Sequence, residues 1–511
     1  MRVTLKLAFV NTKCEILYSG YIQKFTTGSP QKNMTFWIKI TDNPHFLQAL
    51  QTNHQNSMTY GYTKKQTGIL LASLLLTSFL LSGCQPAVYM MPTPVAMKSG
   101  KHDPFANTPK SEQSSSILVG YATNRLPAGA KKARFYGRDF DQDIRMGLAE
   151  VQIGAGGQSW DEIRQLSIKG AEKHEKLLTL QQTTEEGVLT KNDSLTALTP
   201  ELLDLFARFN EAIEKSPTKD ITIYVHGANS NFYRSVSQAA QYRHFTGRQA
   251  IVVLYSWPSA ESIIAYGTDV RNIMTTVPTF TRFIKLLAKQ TTARKINIIA
   301  YSAGATLTTK ALAVLGRDTA QPDREAYRQS LRLGSVYFAA PDTDFDEFID
   351  EYRSYEDIVD NVTITINMTD SILGIAMEDR RAQTESTFGE VNQGRSGKSR
   401  LGKPDIEDLT DKDAEWIISQ TNKQNFVVID IDPNTIPGVS KGSHSYWYQS
   451  PWVSTDALLD LNFHALPQDR GLASRKGERG GQVWYFPADY ETRVDEALDR
   501  LSEKFRQNID P

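Results

Sequence analysis

The sequence predicts an α/β protein, a doubly wound and mostly parallel sheet of eight strands flanked by helices. Three observations carry that expectation. From residue 221 onward, short β-branched runs alternate with helical stretches, the pattern of strands joined by crossover helices. The run Ile296-Asn297-Ile298-Ile299 leads into Ala300-Tyr301-Ser302-Ala303-Gly304 and then into a helix-like segment, Leu307 to Leu312. A composition of 40% hydrophobic and 23% charged residues over 511 positions is globular and supplies ample core for one large domain.

Residues 1–57 match no signal, domain or motif, and the expectation is an upstream extension with Met58 as the working start. Lys64-Lys65 then precede an apolar run, Ile69 to Leu81, ending in Leu81-Ser82-Gly83-Cys84. A basic flank, a short apolar stretch and small residues before a cut site read as a secretory signal over 58–83. The run is short for a membrane span. Leu-Ser-Gly-Cys resembles a bacterial lipobox, in which Cys84 becomes the lipid-modified first residue, and Gln85 after it points to the outer membrane. The expected location is therefore the cell envelope, lipid-anchored and facing the periplasm. The first 83 residues hold 8 Lys and Arg against 2 Asp and Glu, so the remainder carries a formal −7. That charge gives no electrostatic case for nucleic acid, and two cysteines make no disulfide framework.

Residues 84–116 are rich in Pro, Ser, Lys and Met and read as a flexible tether, with one domain over 117–511. Its expected strands are Ile117–Ala122, Gly147–Ile153, Ile221–Val225, Ile251–Tyr255, Ile296–Ala300, Val336–Ala339, Val362–Asn367 and Phe426–Ile431. Ser159–Leu180 and Glu201–Glu214 have apolar residues at helical spacing.

A strand, a sharp turn and a helix around a serine with small neighbours form a nucleophile elbow, because bulky side chains there would collide with the sheet. Ser302 follows the fifth expected strand. In the α/β-hydrolase plan the nucleophile follows strand five, the acid strand seven and the histidine strand eight. Those places hold Asp370, in Asn367-Met368-Thr369-Asp370-Ser371, and His444, in Lys441-Gly442-Ser443-His444-Ser445. His444 would take the proton of Ser302 and Asp370 would fix its tautomer. Asp342 and Asp344 after strand six are rival acids, and His464, between Phe463 and Ala465, is the rival base. Tyr224-Val225-His226-Gly227-Ala228-Asn229 follows strand three, so backbone amides of Ala228 and Ala303 are the candidate oxyanion donors. His226 reads as a shaping residue of that loop. Trp257, in Tyr255-Ser256-Trp257-Pro258-Ser259, reads equally as a strand-end cap or as a wall of the substrate site. His174-Glu175 lacks the second histidine of a zinc-protease helix, and Gly154-Ala155-Gly156-Gly157 lacks dinucleotide spacing. No metal or organic cofactor is expected.

From Ile117 to about Leu461 the order of motifs resembles a bacterial α/β-hydrolase family known as domain of unknown function 900. The matching residues are Tyr121-Ala122-Thr123-Asn124-Arg125, Val225-His226-Gly227-Ala228-Asn229, Ser256-Trp257-Pro258-Ser259 and Ala300-Tyr301-Ser302-Ala303-Gly304. Ala339-Ala340-Pro341-Asp342, Asn367 to Asp370, Arg400-Leu401-Gly402 and His444-Ser445-Tyr446 complete the series. The resemblance implies Ser302, Asp370 and His444 as a triad. Relatives commonly carry histidine and methionine where Tyr301 and Ala303 stand here, and an aromatic at Ala228. Those changes bear on the pocket. The polar stretch Met377 to Thr421 reads as a solvated loop or as a cover over the site.

The expected activity is a serine hydrolase cleaving a carboxylic ester of a small molecule or lipid through an acyl-enzyme. A silent hydrolase fold serving as a scaffold, and a peptidase or amidase on the same fold, are the alternatives.

Overall fold

Strands that read as unbroken β-branched and aromatic runs are buried on both faces, and four of them form the centre of this protein. Ile221–Val225, Ile251–Ser256, Ile296–Tyr301 and Leu333–Ala339 are buried along their whole length. The computed structural model describes residues 6–10, 13–17, 21–26, 35–40, 87–98, 103–169, 176–261, 266–318, 323–369, 399–404, 411–477 and 480–509. The chain divides into two units, Met1–Pro86 and Ala87–Pro511. In the first, Lys6–Val10 pairs antiparallel with Lys13–Leu17, and Tyr21–Thr26 with Thr35–Ile40. The signal segment 58–83 and Cys84 lie outside the described residues.

The second unit is built on one twelve-stranded sheet. Its strands are β1 (Val88–Tyr89), β2 (Ser116–Ala128), β3 (Phe135–Ile153), β4 (Leu177–Leu189), β5 (Ile221–Val225) and β6 (Ile251–Ser256). They continue with β7 (Ile296–Tyr301), β8 (Leu333–Ala339), β9 (Val359–Ile366), β10 (Phe426–Asp430), β11 (Ala473–Lys476) and β12 (Gln482–Tyr485). The spatial order is β11-β12-β10-β9-β8-β7-β5-β6-β2-β3-β4-β1. All pairings from β12 to β2 are parallel, and the two margins are antiparallel.

The alternation along β7 sorts the helices. Ile296, Ile298 and Ala300 face a core shared with helices Pro200–Lys215, Tyr266–Gln290, Ala303–Gly316 and Phe345–Tyr355. Ile299 and Tyr301 face the other core, with helices Phe232–Phe245, Pro451–Phe463 and Tyr490–Ile509. From β5 the chain steps outward to β6 and then returns to the opposite side of β5 for β7. The crevice beyond the C-terminal ends of β5 and β7 is therefore the topological switch point, where open α/β sheets bind ligands.

The sheet exceeds the eight expected strands. The expected helix Ser159–Leu180 ran into the first four residues of β4, and only Trp160–Lys169 of it is helical among the described residues. The run from Leu177 is rich in threonine, and from Thr183 to Leu189 it alternates buried with half-buried positions, which suits a margin strand better than a helix. The expected tether is a second correction. From Ala87 the chain lies on the domain, with Met90, Met91, Val95, Met97 and Phe105 buried. Met91 N–H donates to Gln241 Oε1 at 2.7 Å, Thr93 Oγ1 to the Ser167 carbonyl at 2.6 Å, and Glu112 pairs with Arg243. Unbranched methionine fills irregular gaps, so a segment that looks like linker by composition is part of the core.

Candidate active site

Ser302 follows β7 directly and immediately precedes helix Ala303–Gly316. Its backbone sits at φ 53° and ψ −124°, a region that disfavours any residue with a Cβ. Its N–H donates to the Ala339 carbonyl at 3.0 Å and its carbonyl accepts from Asp342 N–H at 3.1 Å, so the neighbouring turn after β8 fixes it from both ends. Close backbone approach explains the flanking glycines. A Cβ on Gly304 would lie 2.6 Å from the His226 carbonyl oxygen, and one on Gly227 would lie 2.8 Å from Ser302 Cβ. The loop after β5 and the elbow after β7 are thus pressed together at the switch point.

The loop after β10 brings His444 Nε2 to 2.7 Å from Ser302 Oγ, although the two residues are 142 positions apart. The Tyr301 ring lies 5.5 Å from the His444 ring, and the Tyr301 hydroxyl faces Ser445 Oγ at 3.4 Å. The end of β9 is stitched to the same loop. Buried Asn367 donates from Nδ2 to the Ser443 carbonyl at 2.8 Å and accepts the Thr369 N–H at 3.0 Å. Gly442 N–H reaches Thr369 Oγ1 at 3.4 Å. Asp370, the next residue, lies outside the described residues, as do 377–398 and 405–410 of the expected cover.

The rival side chains have other engagements. Asp342 is buried against Arg400, which is fully buried itself; Nε lies 2.7 Å from Asp342 Oδ1 and Nη2 also contacts that oxygen. Asp344 caps helix Phe345–Tyr355 by accepting the Glu347 N–H at 3.1 Å. Backbone bonds from Leu401 to Thr343 and from Gly402 to Pro341 dock the Arg400-Leu401-Gly402 motif onto the turn that holds Ser302. His464 caps the end of helix Pro451–Phe463 and pairs with Asp220 at 2.7 Å, before β5 and so at the opposite edge of the sheet from Ser302.

Ala303 opens its helix, so its N–H is one of the first-turn donors that no partner within the helix can satisfy. Ala228 is half-buried in the loop after β5, next in sequence to Gly227, whose backbone presses on Ser302. His226 is fully buried and stacks on Trp257 at 5.1 Å; Nδ1 faces the Gly227 carbonyl at 2.7 Å and Nε2 the Trp257 carbonyl at 3.1 Å. Trp257 Nε1 returns a bond to the His226 carbonyl at 2.7 Å. Burial, with Arg125 adding to it, holds the imidazole pKa down to about 3, so the ring is neutral and structural. The substrate-wall reading of Trp257 is corrected: with no exposed surface it braces the loop from behind.

Two residues to which the sequence reading gave no role complete that brace. Arg125, fully buried, donates to the carbonyls of Ser230 and Gly137 at 2.7 and 2.9 Å and to Ser256 Oγ at 3.1 Å, and pairs with Glu261 at 3.3 Å. Burial lowers its pKa to about 10 against the opposing pull of Glu261. Asp269 accepts the Ala260 N–H, and burial raises its pKa to about 6 despite N–H bonds from Ala260 and Asn229. Arg125 ends a motif already visible in the chain; Asp269 ends the stretch Tyr266-Gly267-Thr268-Asp269, whose residue types point to no role for it.

A second buried serine–histidine pair, Ser167 Oγ and His244 Nε2 at 2.7 Å, has the opposite polarity. Arg248 Nε donates to His244 Nδ1 at 3.1 Å, so the ring proton sits on Nε2 and is given to Ser167, which donates to the Ile163 carbonyl at 2.7 Å. That imidazole cannot take the serine proton. Among the described residues no group of three His, Cys, Asp or Glu side chains is arranged to hold a metal ion.

No curated protein matches the chain. Residues 204–453, which include Ala228, Trp257, Ser302, Asp370 and His444 but not the Tyr121–Arg125 motif, match the family model described as alpha/beta hydrolase of unknown function (DUF900), and the sheet with its elbow has that α/β-hydrolase fold.

Proposed function

We propose that the protein is a serine hydrolase that cleaves a carboxylic ester through an acyl-enzyme. The observation that carries this reading is the 2.7 Å approach of His444 Nε2 to Ser302 Oγ on a strained elbow at the switch point of the sheet. His444 Nε2 takes the hydroxyl proton as Ser302 Oγ attacks the ester carbonyl. The tetrahedral oxyanion accepts hydrogen bonds from the amides of Ala303 and Ala228, each worth about 3–4 kcal/mol in such sites. The imidazolium then protonates the leaving alcohol oxygen as the C–O bond breaks. Water, deprotonated by the same nitrogen, attacks the acyl-Ser302 carbonyl, and the acid leaves with Ser302 restored. Asp370 accepts a hydrogen bond from His444 Nδ1–H and so holds the tautomer that leaves Nε2 free to accept.

The working protein is anchored by lipid at Cys84 in the cell envelope, a reading supported by Leu81-Ser82-Gly83-Cys84 after its apolar run. Mass spectrometry of membrane-extracted protein should find a chain that begins at an acylated Cys84; an unmodified chain reading through that position refutes it. For the chemistry, a fluorophosphonate probe should label wild type at Ser302 and leave Ser302→Ala unlabelled. An unreactive wild type would mark a silent scaffold, and turnover of short peptide amides in preference to esters would mark a peptidase.

A further inference from the structure

Asn367 directly follows β9 and is fully buried. Its amide spans two loops that lie far apart in sequence. Nδ2 donates to the Ser443 carbonyl at 2.8 Å, one residue before His444. Oδ1 accepts the Thr369 N–H at 3.0 Å and the Thr369 hydroxyl at 2.8 Å. Its backbone N–H donates at 2.8 Å to the carbonyl of Gly402, in the motif docked on the turn that holds Ser302. These partners dictate the residue type. A backbone N–H only donates and a carbonyl oxygen only accepts, so the side chain between them must offer both functions at a fixed separation. An ionised aspartate has no donor, and serine is too short to reach both. A buried side chain lacking either function would leave a main-chain group unsatisfied.

The end of β9 holds the histidine loop on both sides of His444. Thr365 and Asn367 lie two residues apart, so their side chains project to the same side. Downstream, the hydroxyl of buried Tyr446 lies 3.0 Å from Thr365 Oγ1; upstream, the Ser443 carbonyl rests on Asn367. His444, with Nε2 at 2.7 Å from Ser302 Oγ, sits between these ties. The downstream tie is set in the core, and the upstream tie is a side-chain amide at the site itself. We propose that Asn367 is a positioning residue for the hydrolysis: its amide holds the Ser443 carbonyl, and with it His444, at the distance from which Nε2 takes the Ser302 proton. This inference rests on the hydrolase reading above. Asn367 acts through His444, and a displacement of about 1 Å in such a site costs roughly 100-fold in rate.

The test follows labelling of the full chain by a fluorophosphonate, reading the maximal rate, the half-saturating probe concentration and the final labelled fraction separately. Asn367→Ala should reach the wild-type labelled fraction at a similar half-saturating concentration, with a maximal rate lower by roughly 10- to 100-fold. Asn367→Asp keeps the acceptor for Thr369 but sets a carboxylate against the Ser443 carbonyl, and should slow at least as much. Asn297 supplies the matched control. It is also fully buried, with Nδ2 donating to the Leu461 carbonyl at 2.9 Å and Oδ1 accepting the Ser335 N–H at 2.9 Å. It lies near the start of β7, at the opposite end from Ser302. Asn297→Ala loses the same kind of bridge and should keep the wild-type maximal rate even where its melting temperature falls. An unchanged maximal rate in Asn367→Ala, an equal slowing in Asn297→Ala, or a fall confined to the labelled fraction overturns the proposal. Failure of both Asn367 variants to fold also overturns it, since the residue would then be structural. A wild type that takes no label ends the hydrolase reading and the positioning role together; a labelled wild type with unslowed variants removes only the latter.

Discussion

Ser302 carries two loads, a hydroxyl for chemistry and a backbone conformation that its own Cβ opposes. Such strain is worth about 1–3 kcal/mol, and glycine relieves it at an entropic penalty of about 0.5–1 kcal/mol. Ser302→Gly should therefore be more stable than Ser302→Ala by about 1 kcal/mol in urea unfolding, though both lose the nucleophile. Equal stability would show that the turn is relaxed. At this scale Ser302 and His444 were legible because each sits in a short motif whose chemistry is local: small neighbours at the elbow, glycine and serine around the histidine. Arg125, Asp269 and Trp257 were not, because their roles depend on partners more than a hundred residues away or on burial that no neighbouring residue reports. Trp257 shows the limit best. An aromatic after a strand end reads the same whether it faces substrate or braces a loop, and only the stacking on His226 separates the two.

Between elements, the segment from Ala87 to Ser116 replaces an expected spacer with packing. Met90, Met91, Val95, Met97 and Phe105 each bury a side chain worth about 1.5–3 kcal/mol as an upper bound. A chain beginning at Ile117 should melt several degrees lower than one beginning at Ala87 and bind more of a hydrophobic dye. Matching melting curves would restore the tether reading. The central strands were legible from β-branched runs bounded by turns, and Ile221–Val225 was read to the residue. Of the marginal strands, β3 was read only from Gly147 to Ile153, and β1, β4, β11 and β12 were not read as strands. β4 mixes threonine, glutamate and leucine, so its period is set by one buried face against helix Pro200–Lys215, and a leucine-rich start at 177 extends the preceding helical pattern. The approximate count still led to the loop that brings His444 to Ser302, because the missed strands lie outside the stretch between β5 and β10.

For the molecule as a whole, buried titratable groups pull stability in opposite directions with pH. His226 and His244 are held neutral in the fold, the first at about 3 by burial and then Arg125, the second well below its ordinary value by burial and then Arg248. The unfolded chain binds these protons near pH 6.5, so their contribution is full above that and is lost as pH falls toward 3. Asp269 and Asp456 go the other way. Burial raises both to about 6, so the folded state holds protons that the unfolded chain has released, and this contribution is lost as pH rises from about 4 to 6. Removing one opposing group exposes the other set. Asp269→Asn should lose stability more steeply than wild type as pH falls from 6 to 4, by up to about 1.4 kcal/mol per pH unit. Parallel profiles of melting temperature against pH would show that Asp269 is ionised in the fold.

The main-chain ties of Ser302 to Ala339 and Asp342 divide the labour of turnover. Because the attacking residue is moored into the deepest strands, its amide and that of Asp342 should exchange hydrogen for deuterium as slowly as the centre of β7. Whatever breathing accompanies substrate entry and product escape then falls to the histidine-bearing loop, which is held by side-chain and loop contacts alone. Faster exchange at Ser302 than at Gly442 to Ser445 would reverse that assignment.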